Sequence, residues 1–254
     1  MKRIVLMIAF VATIFSTQAW TGVVDNASYI IAKKYMTPQA LAEYNRVMAL
    51  KSKVEYKWSL DKEARAALTA DLKSVTTSEK DIVVRLEKAA DVLRNSAKHS
   101  EREQFEALMT LRKLIVELHN ISRIAIDGIA QSQHDFKFTW TAGKEGSKKY
   151  EKRGTMRWMQ LWSSNFCYWH QAWSSDYYAY DIDLRFGKLR DEAMKGNFRE
   201  WAHQMGVVAK PMYEWAMPDM VFTHKPRLLL EDLHLEMVGR AGYRLAAIMN
   251  TIAK

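Results

Sequence analysis

Four residues with charged or metal-binding side chains fall inside the most apolar stretch of the chain. Lys113, Glu117, His119 and Arg123 lie within residues 100–131, SEREQFEALMTLRKLIVELHNISRIAIDGIAQ. Lysine and arginine are rarely buried without a partner. Lys113 and Glu117 are one helical turn apart and share a face. The group therefore reads as long stems with solvated heads, or as one salt bridge at a groove, or as the polar floor of a pocket. Other reactive residues are scattered. The seven histidines (His99, His119, His134, His170, His203, His224, His234) make no His-Glu-x-x-His motif and no close pair. A single-metal site from Glu117, His119 and His170 is the minority alternative. There is no Gly-x-Ser-x-Gly elbow and no glycine-rich phosphate loop. Cys167, the only cysteine, sits among Phe166, Tyr168 and Trp169 and reads as core, because no cation that would activate it is at hand.

Aromatic residues are dense between Trp158 and Tyr180. Trp158 and Trp162 recur at a step of four, as do Trp169, Trp173 and Tyr177, so each set shares a helix face. Such stripes are mostly core. The alternative is a stacking platform for bases or sugar rings, with the loop 143–154 and its flank (Lys144, Lys148, Lys149, Lys152, Arg153, Arg157) holding the anions. On that reading Lys148, Lys149, Arg153, Arg157, Trp158 and Trp162 are the ligand-binding candidates.

The elements that must position these groups are mostly helices. Ser100 and Glu103 form a capping box, and Phe105, Leu108, Leu111, Ile115, Leu118, Ser122 and Ala125 continue one face, so a long buried helix is expected over 100–131. Earlier helices are expected from Asp25 or Asn26 to Tyr35, from Thr37-Pro38 to Leu50, from Asp61 to Leu72, and from Ser78–Asp81 to Asn95. Phe136, Phe138 and Trp140 alternate with polar residues, which predicts a short strand or hairpin near 135–141. Helices are then expected over 156–173, 181–195, 197–205, 208–215 and 226–252. Ten glycines and four prolines suit an all-α, single multi-helix domain.

The chain has 254 residues and a formal charge of +9. Lys2 and Arg3 precede the apolar run Ile4–Phe15 and the small residues Thr17 and Ala19, the pattern of a signal peptide (residues 1–19) cut after Ala19. Residues 20–254 would be the mature domain, periplasmic or secreted and without a transmembrane segment. One cysteine allows no internal disulfide. The positive charge favours anionic partners weakly: nucleic acid, phospholipid or cell-wall polymer.

The stretch Ala241-Gly242-Tyr243-Arg244-Leu245-Ala246-Ala247-Ile248-Met249-Asn250 resembles the closing helix of the zinc-dependent single-strand nucleases of the P-one/S-one type, which share a fold with bacterial zinc phospholipase C. Trp20, Tyr29 to Leu50, Ser100 to Leu111, Gly196 to Ala202 and Lys210 to Tyr213 resemble further parts of that family. The resemblance implies a phospholipase C/nuclease type of helical fold, and a three-zinc cluster held by the terminal tryptophan, histidines and aspartates, which activates water against a phosphodiester. Carried over by position, the ligand places hold Trp20, Asp25, Lys113, Glu117, Arg123, Met159 and Ser163, with His119 beside them. Only Trp20, Asp25 and Glu117 could still ligate. A cation about 4 Å from a dication costs roughly 8 kcal/mol even at an effective dielectric near 20. The expectation is a retained scaffold that binds no metal and has lost its chemistry, Lys113 and Arg123 instead pairing with Glu117 and Asp25. It would act as a non-catalytic binder of an anionic ligand, such as single-stranded nucleic acid, or of a protein partner. The alternatives are a phosphodiesterase with a reduced zinc site built on Asp25, Glu117 and His119, and a structural module of the cell envelope.

Overall fold

The computed structural model describes residues 22–55, 64–74, 78–130, 135–141, 153–170 and 174–253, apart from the side chains of Arg153, Tyr168, Trp169 and His224. The helices are α1 (Gly22–Tyr35), α2 (Pro38–Ala49), α3 (Ile82–Arg94), α4 (Glu101–Leu118), α5 (158–169, with a π-helical middle at Leu161–Asn165), α6 (Ser175–Phe186), α7 (Arg190–Ala193), α8 (Phe198–Trp215) and α9 (His224–Ile252). The strands are β1 (Ala66–Leu68), β2 (Ile124–Ile126), β3 (Lys137–Thr141), β4 (Arg153–Arg157) and β5 (Val221–Phe222). Helices dominate, but the fold carries two small sheets rather than the single strand or hairpin expected. One pairs β1 with β2 in parallel. The other has the order β4-β3-β5, antiparallel between β3 and β4 and parallel between β3 and β5.

The C-terminal helix α9 is the hub. It packs along α1 and also meets α2, α3, α4, α6 and α7. At Gly242 it lies so near α1 that a Cβ would stand 2.7 Å from the Ser28 carbonyl oxygen. The Ser28 hydroxyl donates to the Val238 carbonyl across the same crossing. Tyr35 of α1 and Tyr243 of α9 both donate to Asp183 of α6, and Lys34 pairs with it at 2.6 Å, which ties three helices to one carboxylate.

α4 is shorter than its apolar pattern. The capping box of Ser100 and Glu103 is in place, but the helix stops at Leu118. Asn120 accepts from the backbone N–H and the hydroxyl of Ser122, which turns the chain. The Tyr213 hydroxyl bridges the Ile121 and Ile124 carbonyls. Ile124–Ile126 then pair with β1. The apolar steps continue through this stretch, but its hydrogen-bond partners come from elsewhere in the chain. The helix expected over 61–72 is corrected for the same reason. Residues 61–63 lie outside the described residues, and 66–68 form β1. There Asp81, the N-cap of α3, accepts from the Ala67 N–H as well as from Val83 and Val84.

Three further boundaries shift. Residues 153–157 extend as β4 opposite β3, so the helix expected from 156 begins at Trp158. α6 starts at Ser175, capped by Ser174, rather than at 181. The two helices expected over 197–205 and 208–215 are one, α8, which passes so close over β1 at Gly206 that a Cβ would stand 2.4 Å from Leu68.

Candidate functional site

α1 delivers Asp25 and α4 delivers Lys113 and Glu117 to one buried junction, and the turn after α4 adds Arg123. Lys113 and Asp25 form an ion pair through the Lys113 ammonium. The Arg123 Nε lies 3.0 Å from a Glu117 carboxylate oxygen. Asp25, Glu117 and Arg123 are 7%, 5% and 3% exposed, so the charges are balanced largely without solvent. Burial pushes the Glu117 carboxyl up, to about 7, against the pull of Arg123. Burial likewise raises Asp25, opposed by Lys113. Desolvation therefore outweighs pairing at both carboxylates.

Arg112, Tyr29, Arg65 and Asp135, not picked out as site residues from the sequence, complete the cluster. The Arg112 guanidinium covers the Tyr29 ring at 4.0 Å from its centroid and approaches Tyr44 at 5.7 Å. The Tyr29 hydroxyl, buried beside Asp25 and Glu117, has no hydrogen-bond partner among the described residues. Arg65, just ahead of β1, feels Arg123, Glu117 and Asp135, and burial lowers its pKa. Asp135 in turn holds Arg157 at 2.8 Å and accepts from the Met159 backbone N–H at 3.2 Å. One signal was available for Arg112: it directly precedes Lys113 on a helix whose neighbouring positions are core. Nothing in the sequence alone marks Arg65 or Asp135.

His119 does not join this group. Two residues beyond Glu117 on a helix is about 200° around the axis, and His119 sits on the other side. Its Nδ1 lies 2.7 Å from the Ile115 carbonyl oxygen and its Nε2 lies 2.7 Å from the Arg244 guanidinium. The pairing sets the tautomer: Nδ1–H donates and Nε2 accepts. Burial and the Arg244 charge push its pKa well below the ordinary value. Arg244, 1% exposed, also donates to the Ala193 carbonyl and to Gln204, and stands over the Trp201 ring at 5.2 Å. His170 lies elsewhere, between Glu231 and Asp181 at 3.0 Å each. The grouping of Glu117, His119 and His170 into one site is thus corrected. Ser163, 7% exposed, donates to Gln160 of its own helix at 3.4 Å.

The aromatic stripe is core. Trp158 and Trp162 are both 0% exposed. Trp158 stacks on Phe136 and meets Trp162 edge-on at 5.7 Å between centroids. Neither can offer a face to a base, which corrects their place among the ligand-binding candidates. Arg157 is exposed but engaged by Asp135. Arg153 belongs to β4 by its backbone. Trp20, His134, Lys148 and Lys149 lie outside the described residues.

The described residues at the positions that the resemblance gives to zinc do not fit the ion. Among the described residues no group of three or more His, Cys, Asp or Glu side chains is placed to hold a metal ion. The carboxylates that could ligate, Asp25 and Glu117, already face Lys113 and Arg123. No protein-family model matches the chain, and no curated protein matches it either.

Proposed function

We propose that this chain is a divergent relative of the zinc-dependent single-strand nuclease and phospholipase C superfamily, in which charge pairing has replaced the metal cluster and the scaffold serves as a non-catalytic binder of an anionic ligand. One observation carries the reading. The residues at the family's ligand positions, Asp25, Lys113, Glu117 and Arg123, meet at one buried junction as two ion pairs, although Asp25 lies far from the other three in the chain. Arg112, whose charge reaches Asp25, adds a cation beside Lys113 and Arg123, which supports an anionic ligand. The leader at residues 1–19 would send the chain to the periplasm or outside the cell. A hydrolase with a reduced zinc site is the weaker reading, because His119 faces Arg244 and not the carboxylates.

Elemental analysis of the purified protein, a phosphodiester hydrolysis assay and a single-stranded DNA titration over a salt series test this directly. The expected result is substoichiometric zinc, no turnover, and binding whose affinity falls as salt rises. Three tightly held zinc ions per chain together with turnover would overturn it. A protein that binds no DNA or other polyanion at any salt would move the reading to a protein partner or a structural role.

A further inference from the structure

Outside the charge cluster, the most regular exposed feature is on α6. Tyr177, Tyr180 and Leu184 are 55%, 66% and 69% exposed. Steps of three and four put them in one outward row, while Tyr178, Ala179 and Ile182 of the same helix face the core. Charges of opposite sign bracket the row, Asp176 at its start and Lys188 just past its end, and both are exposed. Beside it lies a hollow of about 490 Å³ whose lining includes Ile30, Tyr180, Leu184 and Gly187. The row stands on a fixed base, since Asp183 of this helix is held by Tyr35, Tyr243 and Lys34.

We infer that this face is self-complementary and joins two copies of the chain, α6 against α6, antiparallel about a two-fold axis that meets the outer face level with residue 182. In an antiparallel pair the facing positions have a constant sum, and one register satisfies the whole row. Asp176 meets Lys188 of the second copy, Tyr180 meets Leu184, and Tyr177 meets Gly187, where no side chain stands in the way of the ring. Two-fold symmetry makes each contact twice. The charge order argues for this occupant. An anionic lipid surface would lose at Asp176 what it gains at Lys188, whereas a second copy presents the opposite sign at each end. This pairing is independent of the proposed binding role and extends beyond it.

Sedimentation velocity across a concentration series into the high-micromolar range tests the pairing. Wild-type protein is expected to show a reversible monomer–dimer equilibrium. Leu184→Glu, Asp176→Lys and Lys188→Asp should each weaken it by about tenfold or more, with unchanged circular dichroism. The decisive arm is an equimolar mixture of Asp176→Lys and Lys188→Asp chains. Each would repel itself, but the mixture restores both ion pairs and should dimerise. A wild type that stays monomeric throughout would overturn the inference, as would a dimer that survives these substitutions or a mixture that fails to pair. Wild-type binding to anionic vesicles that depends on Leu184 without self-association would also overturn it.

Discussion

Glu117 is a buried carboxyl whose folded-state pKa stands at about 7, above its ordinary value of 4.5. An acid with a raised folded pKa holds its proton longer in the folded chain than in the unfolded one. Its contribution therefore favours folding at low pH and is withdrawn as pH rises from about 4.5 through 7. Glu117→Gln, which mimics the protonated form, should gain on the wild type by up to about 3 kcal/mol between pH 5 and pH 8, read by urea denaturation at each pH. A constant difference would show that the Arg123 pair cancels the cost of burial. His119 has the opposite sign: its lowered pKa costs stability as pH falls below about 6.5, so the wild-type curve is a sum and the mutant difference is the clean readout. Arg244→Lys loses the fork that joins His119, Gln204 and the Ala193 carbonyl, and should destabilise by at least about 2 kcal/mol in the same measurement. The shared face of Lys113 and Glu117 was legible in the sequence from their spacing. So, in hindsight, was the separation of His119 from Glu117, because a two-residue step crosses a helix.

Helix ends were the most legible elements where the cap is local. Ser100 with Glu103 and Thr37 with Pro38 both act within one turn of chain. Asp81 differs, since besides capping α3 it accepts the Ala67 N–H and so fixes β1. Asp81→Ala should therefore cost about 2–3 kcal/mol, against about 1 kcal/mol for Ser100→Ala, and only the former should loosen hydrogen-exchange protection in β1 and β2. Equal costs would argue that the β1 contact carries no stability. The three-residue strands were not legible. Ile124 and Ala125 keep helical spacing with Ile121, and only their pairing with β1, beside the Tyr213 hydroxyl that holds the Ile121 and Ile124 carbonyls, makes them extended.

The whole molecule is set by the crossing of α1 and α9, which carries Asp25 toward α4. Gly242 permits that crossing, and Gly242→Ala should destabilise by about 1–3 kcal/mol because the new Cβ meets the Ser28 carbonyl and Ile31, neither free to move far. Thermal unfolding checks it, and an unchanged midpoint would mean the helices can separate at little cost. By itself the sequence determined what depends on neighbours within a turn: the predominance of helix, the caps, the strand at 137–141, and the common face of Lys113 and Glu117. The tertiary structure alone decided where α4 stops, which stretches become strands, that Trp158 and Trp162 are core, and that Asp25 and Arg65 come to stand with Lys113, Glu117 and Arg123. The division follows from the forces. Capping and periodicity act over a few residues, whereas strand pairing and the neutralisation of buried charge need partners that the chain supplies only after it has folded.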